Sequence, residues 1–308
     1  MPLLEVRELS VTFTQYDRGL RRKKTTVIQD LSLSVERGEI VAVVGASGSG
    51  KSLLAHAILG ILPRNASVAG QMHFDGQPLT ASRIRQLRGR RIAFVPQSVQ
   101  SLDPLMRVGR QVRQAVRAGD PAEEQRKAFA RYGLAPQTER RYPFQLSGGM
   151  ARRVLVSIAT VSGAELLVAD EPTPGMDPAV VQETLRAFKA FAENGTAIVF
   201  ITHDLEAALA IADKVAVFYA GTTLEVARAV DFEGEGDRLR HPYSRALWQA
   251  LPQNGFAVPA VAASEPSAWS AEGCSHARHC EMATDVCAQA APKLRELRDG
   301  MVRCYHAT

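Results

Sequence analysis

The chain of 308 residues and 33.4 kDa can bury a full core, and 46% apolar with 22% charged residues is ordinary globular composition. No apolar run approaches the ~18–20 residues needed to span a bilayer, and Glu5 stands where a secretory leader would carry basic charge, so a cytoplasmic protein is expected. The net charge of +5 is mild, and no aromatic residues interleave with the arginines of 18–24 and 83–91, so nucleic acid is not supported as a partner.

Those two basic segments read as a solvated hairpin tip and a solvated surface segment, with lipid headgroups or an acidic partner as the alternative.

Along the chain, "MPLLEVRELSVTF" alternates as a strand does, and "EIVAVVG" (39–45) is a second strand, followed by a helix at about 51–61. Further strands are expected at 91–96, 165–170, 196–202 and 214–220; the first three of these alternate so little that burial on both faces is predicted. Helices are expected at about 106–117, 121–132, 149–161, 178–193 and 204–212, and in the third of them Met150, Val154, Leu155 and Ile158 share a face. Strand and helix patterns alternating in this way predict an α/β domain, with residues 98–160 inserted as a helical subdomain. After about 228 come a loop, a short helix in "HPYSRALWQALP" (241–252), an Ala/Ser/Pro-rich connector (258–273) and a tail holding all four cysteines.

Gly45-Ala46-Ser47-Gly48-Ser49-Gly50-Lys51-Ser52 lies between strand and helix and fits G-x-x-x-x-G-K-[ST] at every fixed position. Glycines let backbone N–H groups converge on phosphate oxygens, and the helix that follows points its positive end at the same charge. Lys51 is expected to reach the β- and γ-phosphates and Ser52 to ligate Mg²⁺. "LLVADEP" (166–172) is an apolar strand ending in two acids, an expensive arrangement if both are buried unpaired. Asp170 is expected to hold Mg²⁺ through water, and Glu171 to act as the base that polarises the attacking water.

With "LSGGM" (146–150) added in this order and spacing, the chain resembles the ATP-binding cassette (ABC) ATPases over residues 1–228. The resemblance implies a P-loop NTPase with a RecA-like core, an antiparallel β subdomain and an inserted helical subdomain. It implies ATP hydrolysis and roles for further residues. Gln97 in "FVPQ" falls at the glutamine loop, a ligand of Mg²⁺ that also touches the transport partner; "PGMD" (174–177) falls at the D-loop, with Asp177 near nucleotide; His203 in "ITHD" falls at the switch histidine, contacting the γ-phosphate. Phe13, or alternatively Tyr16, is placed like the aromatic residue that stacks on adenine. Ser147, Gly148 and Gly149 stand at a predicted helix start, a second anion-binding end. In the family such an end covers ATP held by the phosphate loop of a second cassette subunit, identical or paralogous. Met150 replaces the commoner glutamine, and Pro174-Gly175-Met176 replaces Ser-Ala-Leu.

"HPYSRALWQALP" with Cys274-x5-Cys280-x6-Cys287-x16-Cys304 resembles the C-terminal extension of the peptide/nickel-type importer ATPases. This implies an ATPase domain over 1–240, an extension over 241–308, two membrane permease subunits, an extracellular or periplasmic substrate-binding protein, and a peripheral place on the cytoplasmic face of the membrane. Peptides and chelated nickel or other metals both stand open as cargo. Four thiolates could close a [4Fe–4S] cluster, hold Zn²⁺ or stay free. "CSHARHC" lacks the phenylalanine and proline usual between the first pair, Tyr305 is inserted before His306, and His276, His279 and His306 read as exposed loop residues, with a ligand role as the alternative. The competing classes are a non-transport ABC ATPase acting on nucleic acid or ribosomes, and a nucleotide-binding module without turnover. The short span between phosphate loop and signature leaves no room for the coiled coil of the first, and intact Asp170, Glu171 and His203 disfavour the second.

Overall fold

A computed structural model describes residues 1–16, 21–255 and 273–308. The tip residues 18–20 and the connector residues 258–272 lie outside the described residues. In chain order come β1 (Leu4–Tyr16), β2 (Arg22–Val35), β3 (Ile40–Gly45), α1 (Lys51–Leu59), β4 (Ala66–Phe74), β5 (Gln77–Pro78), α2 (Ala81–Leu87) and β6 (Ile92–Val95). Then follow α3 (Val108–Ala115), α4 (Pro121–Arg131), α5 (Gly148–Thr160), β7 (Leu166–Asp170), α6 (Pro178–Glu193), β8 (Ala197–Thr202), α7 (Leu205–Leu209), β9 (Lys214–Tyr219) and β10 (Thr222–Arg228). The chain finishes with α8 (Pro242–Gln249), α9 (Asp285–Gln289), β11 (Arg295–Leu297) and β12 (Gly300–Val302).

Two sheets organise the molecule. One is antiparallel, in the order β2-β1-β4-β5; the other runs β11-β12-β10-β9-β3-β8-β7-β6, parallel from β9 to β6. Period-two side-chain alternation lets each central strand feed two cores. Ile40, Ala42 and Val44 of β3 pack with the core that holds α5, α6 and α7, whereas Val41 and Val43 pack with α1 and the antiparallel sheet. Burial on both faces explains the continuous apolar runs of β3, β7 and β8. β6 is the edge strand of its sheet, yet Ile92 packs with one core and Ala93 and Val95 with the other, as its apolar run predicts. β3, which leads into the phosphate loop, lies inside the sheet between β9 and β8.

Helices α3, α4 and α5 come between β6 and β7, where the sequence puts the insertion. Aspartate caps start α4 and α6: Asp120 accepts from Glu123 N–H at 2.7 Å, and Asp177 from Ala179 N–H at 3.0 Å, each followed by proline at the first helical position. α5 is more deeply embedded than a single apolar face requires, with Ala151, Val154, Leu155, Val156, Ser157 and Ala159 all buried. The strands β4 and β10 and the hairpin β11–β12 escaped the sequence reading. They are short or polar, so their alternation is weak. β12 pairs with β10, so the tail extends the sheet of the core.

Candidate active site

Four loops meet at the carboxyl ends of adjacent parallel strands. β3 ends in the glycine loop, β8 in His203, β7 in Glu171 and β6, two residues on, in Gln97. This is where an open parallel sheet offers a crevice to ligands. A cleft of about 280 Å³ opens there, lined by Ser47, Gly48, Gly50, Lys51 and Ser52 of the loop, with Val27, Gln97 and Glu171.

The loop's residues divide by task. Gly45 is the buried end of β3, and a Cβ there would sit 2.3 Å from the carbonyl oxygen of Phe218, so close strand packing explains that glycine. Gly48 has φ of +80° with nothing beside it, so its need is conformational. Lys51 Nζ donates to the carbonyls of Gly45 at 2.7 Å and Ala46 at 2.9 Å. Two of its three protons therefore brace the loop, and one is left to point elsewhere. Burial pushes the Lys51 ammonium below its usual range, against the pull of Glu171 and Asp170.

Asp170 and Glu171 are both buried, at 1% and 6% exposure. Burial pushes the Asp170 carboxyl up, with the neighbouring Ser52 hydroxyl opposing the shift. Glu171 takes φ of +48°, the left-handed region that a non-glycine residue rarely adopts. Its N–H donates to Ile201 at 2.9 Å, and its Oε1 lies 2.8 Å from His203 Nδ1. A carboxylate can only accept, so the proton of that contact sits on Nδ1. The nearest polar contact of His203 is thus a residue of its own chain. Ser49 Oγ, Asp170 Oδ1 and Glu171 Oε2 are buried without a hydrogen-bond partner. Three such atoms around one lysine-braced loop fit a site whose partners are a cation, phosphate oxygens and water.

The remaining expected residues stand apart from this cleft. Ser147 caps α5, accepting from Met150 N–H at 3.3 Å, and neither it nor Gly148 or Gly149 lines the cleft. Asp177 is exposed and caps α6. Phe13 packs, partly buried, on the core beneath the antiparallel sheet, and exposed Tyr16 carries the Arg22 guanidinium 5.8 Å from its ring centre; Val27 is the residue of these strands that lines the cleft. Arg152, which no motif marks, donates to the carbonyl oxygens of Glu171 and of Gln97. An arginine on a helix carries no signal in the sequence that it reaches two loop carbonyls.

In the tail, Cys287 and Cys304 are buried and Cys274 and Cys280 half-buried. Burial pushes the thiols of Cys274, Cys280 and Cys304 up, and each of the three feels neighbouring sulfurs of the set. The donor chemistry of four cysteines suits a thiolate-bound group. Even so, no three His, Cys, Asp or Glu side chains among the described residues are arranged to hold a metal ion. His276, expected to be exposed, is buried among the rings of Tyr219, Tyr243 and His241, since the tail folds back onto β9 and α8.

The sequence profile of the ABC transporter family matches residues 28–174. A probable peptide ABC transporter ATP-binding protein of Sinorhizobium fredii is 35% identical over 97% of this chain and 92% of its own length. The oligopeptide transport ATP-binding protein OppD of Escherichia coli is 33% identical over 98% and 93%. Among solved structures, the ATP-binding subunit of an ABC transporter superposes with a TM-score of 0.62 at 26% identity, covering 75% of this chain and 91% of its own. A dimeric cassette in a post-hydrolysis state with ADP and phosphate gives 0.64 at 22%, covering 73% and 98%, a likeness of fold.

Proposed function

Because this chain belongs to the ABC transporter ATP-binding proteins, which are ATPases, we propose that it hydrolyses ATP in the β3–β8–β7–β6 cleft to drive peptide import through separate membrane subunits. The observation that carries the reading is the gathering of Lys51, Ser52, Asp170, Glu171, Gln97 and His203 where three buried polar atoms lack partners. Lys51 offers its remaining proton to the β- and γ-phosphates. Ser52 and Gln97, with Asp170 through water, would hold Mg²⁺, and the ion would neutralise phosphate charge. Glu171 Oε2 accepts a proton from water as that water's oxygen attacks the γ-phosphorus; the bond to the β–γ bridging oxygen breaks and ADP leaves with the electron pair. His203 holds the carboxylate by Oε1, which leaves Oε2 for the proton. Phe13, Ser147, Gly148, Gly149 and Asp177 are assigned to nucleotide at a joint between two cassettes, the signature because it stands outside its own chain's cleft.

Peptide is preferred to a nickel chelate as cargo because the relatives that match over nearly the whole chain are named for peptide transport. The membrane partners are supported by exposed apolar side chains in the segment between β6 and α5. Leu105 is 88% and Phe144 75% exposed, with Phe144 stacked on Tyr142 and Arg107 lying over the Tyr142 ring. No helix among the described residues is long and apolar enough to cross a membrane, which agrees with a peripheral place on its cytoplasmic face. Residues 1–240 are assigned to the ATPase and 241–308 to an extension whose four cysteines hold a [4Fe–4S] cluster, or Zn²⁺, as a staple. Metal analysis and the visible spectrum of anaerobically purified protein, compared with a quadruple Cys→Ser variant, test the staple apart from activity.

The catalytic assignment is tested by turnover and nucleotide binding together. Glu171→Gln should retain ATP and lose turnover by about 10²-fold or more, and Lys51→Ala should weaken ATP binding. Undiminished turnover in Glu171→Gln overturns the reading.

A further inference from the structure

We propose that Arg152 is a positioning residue that ties the signature helix to the backbone of Glu171 and Gln97, so that what grips the tip of α5 governs the hydrolytic cleft of the same chain. The inference rests on the reading of that cleft as the site of ATP hydrolysis. Arg152 lies in α5, five residues after the cap Ser147. One guanidinium nitrogen donates to the Glu171 carbonyl, and another donates to the Gln97 carbonyl at 3.1 Å. A planar fork with five N–H donors can serve both oxygens at once, whereas the single ammonium of lysine serves such a pair poorly.

The contact matters because of what Glu171 needs. Its left-handed backbone is strained and persists only where its surroundings hold it. Ile201 holds its N–H and His203 its carboxylate. The carbonyl is held by Arg152. Gln97, the other residue that Arg152 grips, lines the same cleft. A small rotation of α5 would therefore move two lining residues together. Burial disfavours the Arg152 charge and the nearby Glu171 charge partly offsets this, so the side chain is no idle solvated cation.

The test uses the purified full-length chain and four variants: Arg152→Ala, Arg152→Gln, Arg152→Lys and, as control of the underlying reading, Glu171→Gln. Turnover, ATP affinity, melting temperature and rescue by added guanidinium ion are measured for each. The expected result is that Arg152→Ala loses about 10- to 100-fold in kcat, as a misplaced catalytic group does. Its ATP affinity should stay within about threefold, its melting should be close to that of the parent, and guanidinium should restore part of the rate. Arg152→Lys and Arg152→Gln should fall between. Parental kcat in Arg152→Ala overturns the proposal, and so does a loss of kcat that follows melting temperature across the three Arg152 variants without guanidinium rescue. If Arg152→Ala does not fold, the same criteria are read on Arg152→Gln. Should Glu171→Gln keep its turnover, the reading of the cleft fails; should it lose turnover while Arg152→Ala keeps it, only the coupling fails.

Discussion

At the residue scale, type and spacing nominate Lys51, Asp170 and Glu171, while their local partners decide how each can act. Lys51 braces its own loop through two carbonyls, and Glu171 is presented by a strained backbone with one oxygen held by His203. Neither fact is legible in the motifs, because both depend on atoms supplied by other segments. Arg240 makes the same point away from the cleft. Fully buried, it pairs with Glu225 at 3.2 Å and Asp231 at 3.1 Å, and its Nε donates to the Leu297 carbonyl. Removing one partner of a buried ionic cluster leaves uncompensated charge, so Arg240→Ala should destabilise the chain by about 3–5 kcal/mol in chemical denaturation. A variant as stable as the parent would show that this cluster is not what holds the tail hairpin to β10.

At the element scale, helix starts are the most legible features. The caps Asp120, Ser147 and Asp177 fall at or beside the predicted starts of their helices, because capping is a local bond. The start of α8 adds a pH dependence. His241 caps it through Nδ1, which accepts from Tyr243 N–H at 3.0 Å, and a protonated ring could not accept. The ring faces His276 at 5.8 Å between centres, while Glu225 accepts from the His241 backbone N–H at 3.0 Å. Burial pushes the His241 imidazole down to about 3 from 6.5, so between those values the unfolded chain binds more protons than the folded one. Stability from this group is complete above pH 6.5 and is lost as pH falls toward about 3. His241→Asn keeps a capping oxygen and removes the titration. Urea midpoints across this range should fall less steeply in the variant, and superimposable profiles would refute the assignment.

At the scale of the whole molecule, the signature and the phosphate loop belong to one chain but not to one cleft. Two anion-binding ends facing different places suit a pair of cassettes that share nucleotide. Glu171→Gln, slow to hydrolyse, should therefore shift to a larger species with MgATP in light scattering, either alone or on addition of its paralogous partner, and Lys51→Ala should not. A Glu171→Gln chain that binds ATP yet stays monomeric under both conditions would count against the pairing. The tail belongs to this scale as well. β12 joins β10, and Arg303 donates to the carbonyls of Thr223, Pro292 and Asp30, so the cysteine-bearing segment is fastened to both sheets.

By itself the sequence determined the α/β alternation, the parallel strands, the phosphate loop, the paired acids and the helix that follows the signature. Each of these is written in residues that are neighbours along the chain, where periodicity and spacing act. Only the tertiary structure decided that β3 is central and β6 an edge, that Gly45 serves strand packing, that His203 grips Glu171, that His276 is buried and that Arg152 bridges two loops. Those outcomes depend on which distant segments come to share a surface, and no local pattern records a contact between residues that meet only when the sheets and helices close on one another.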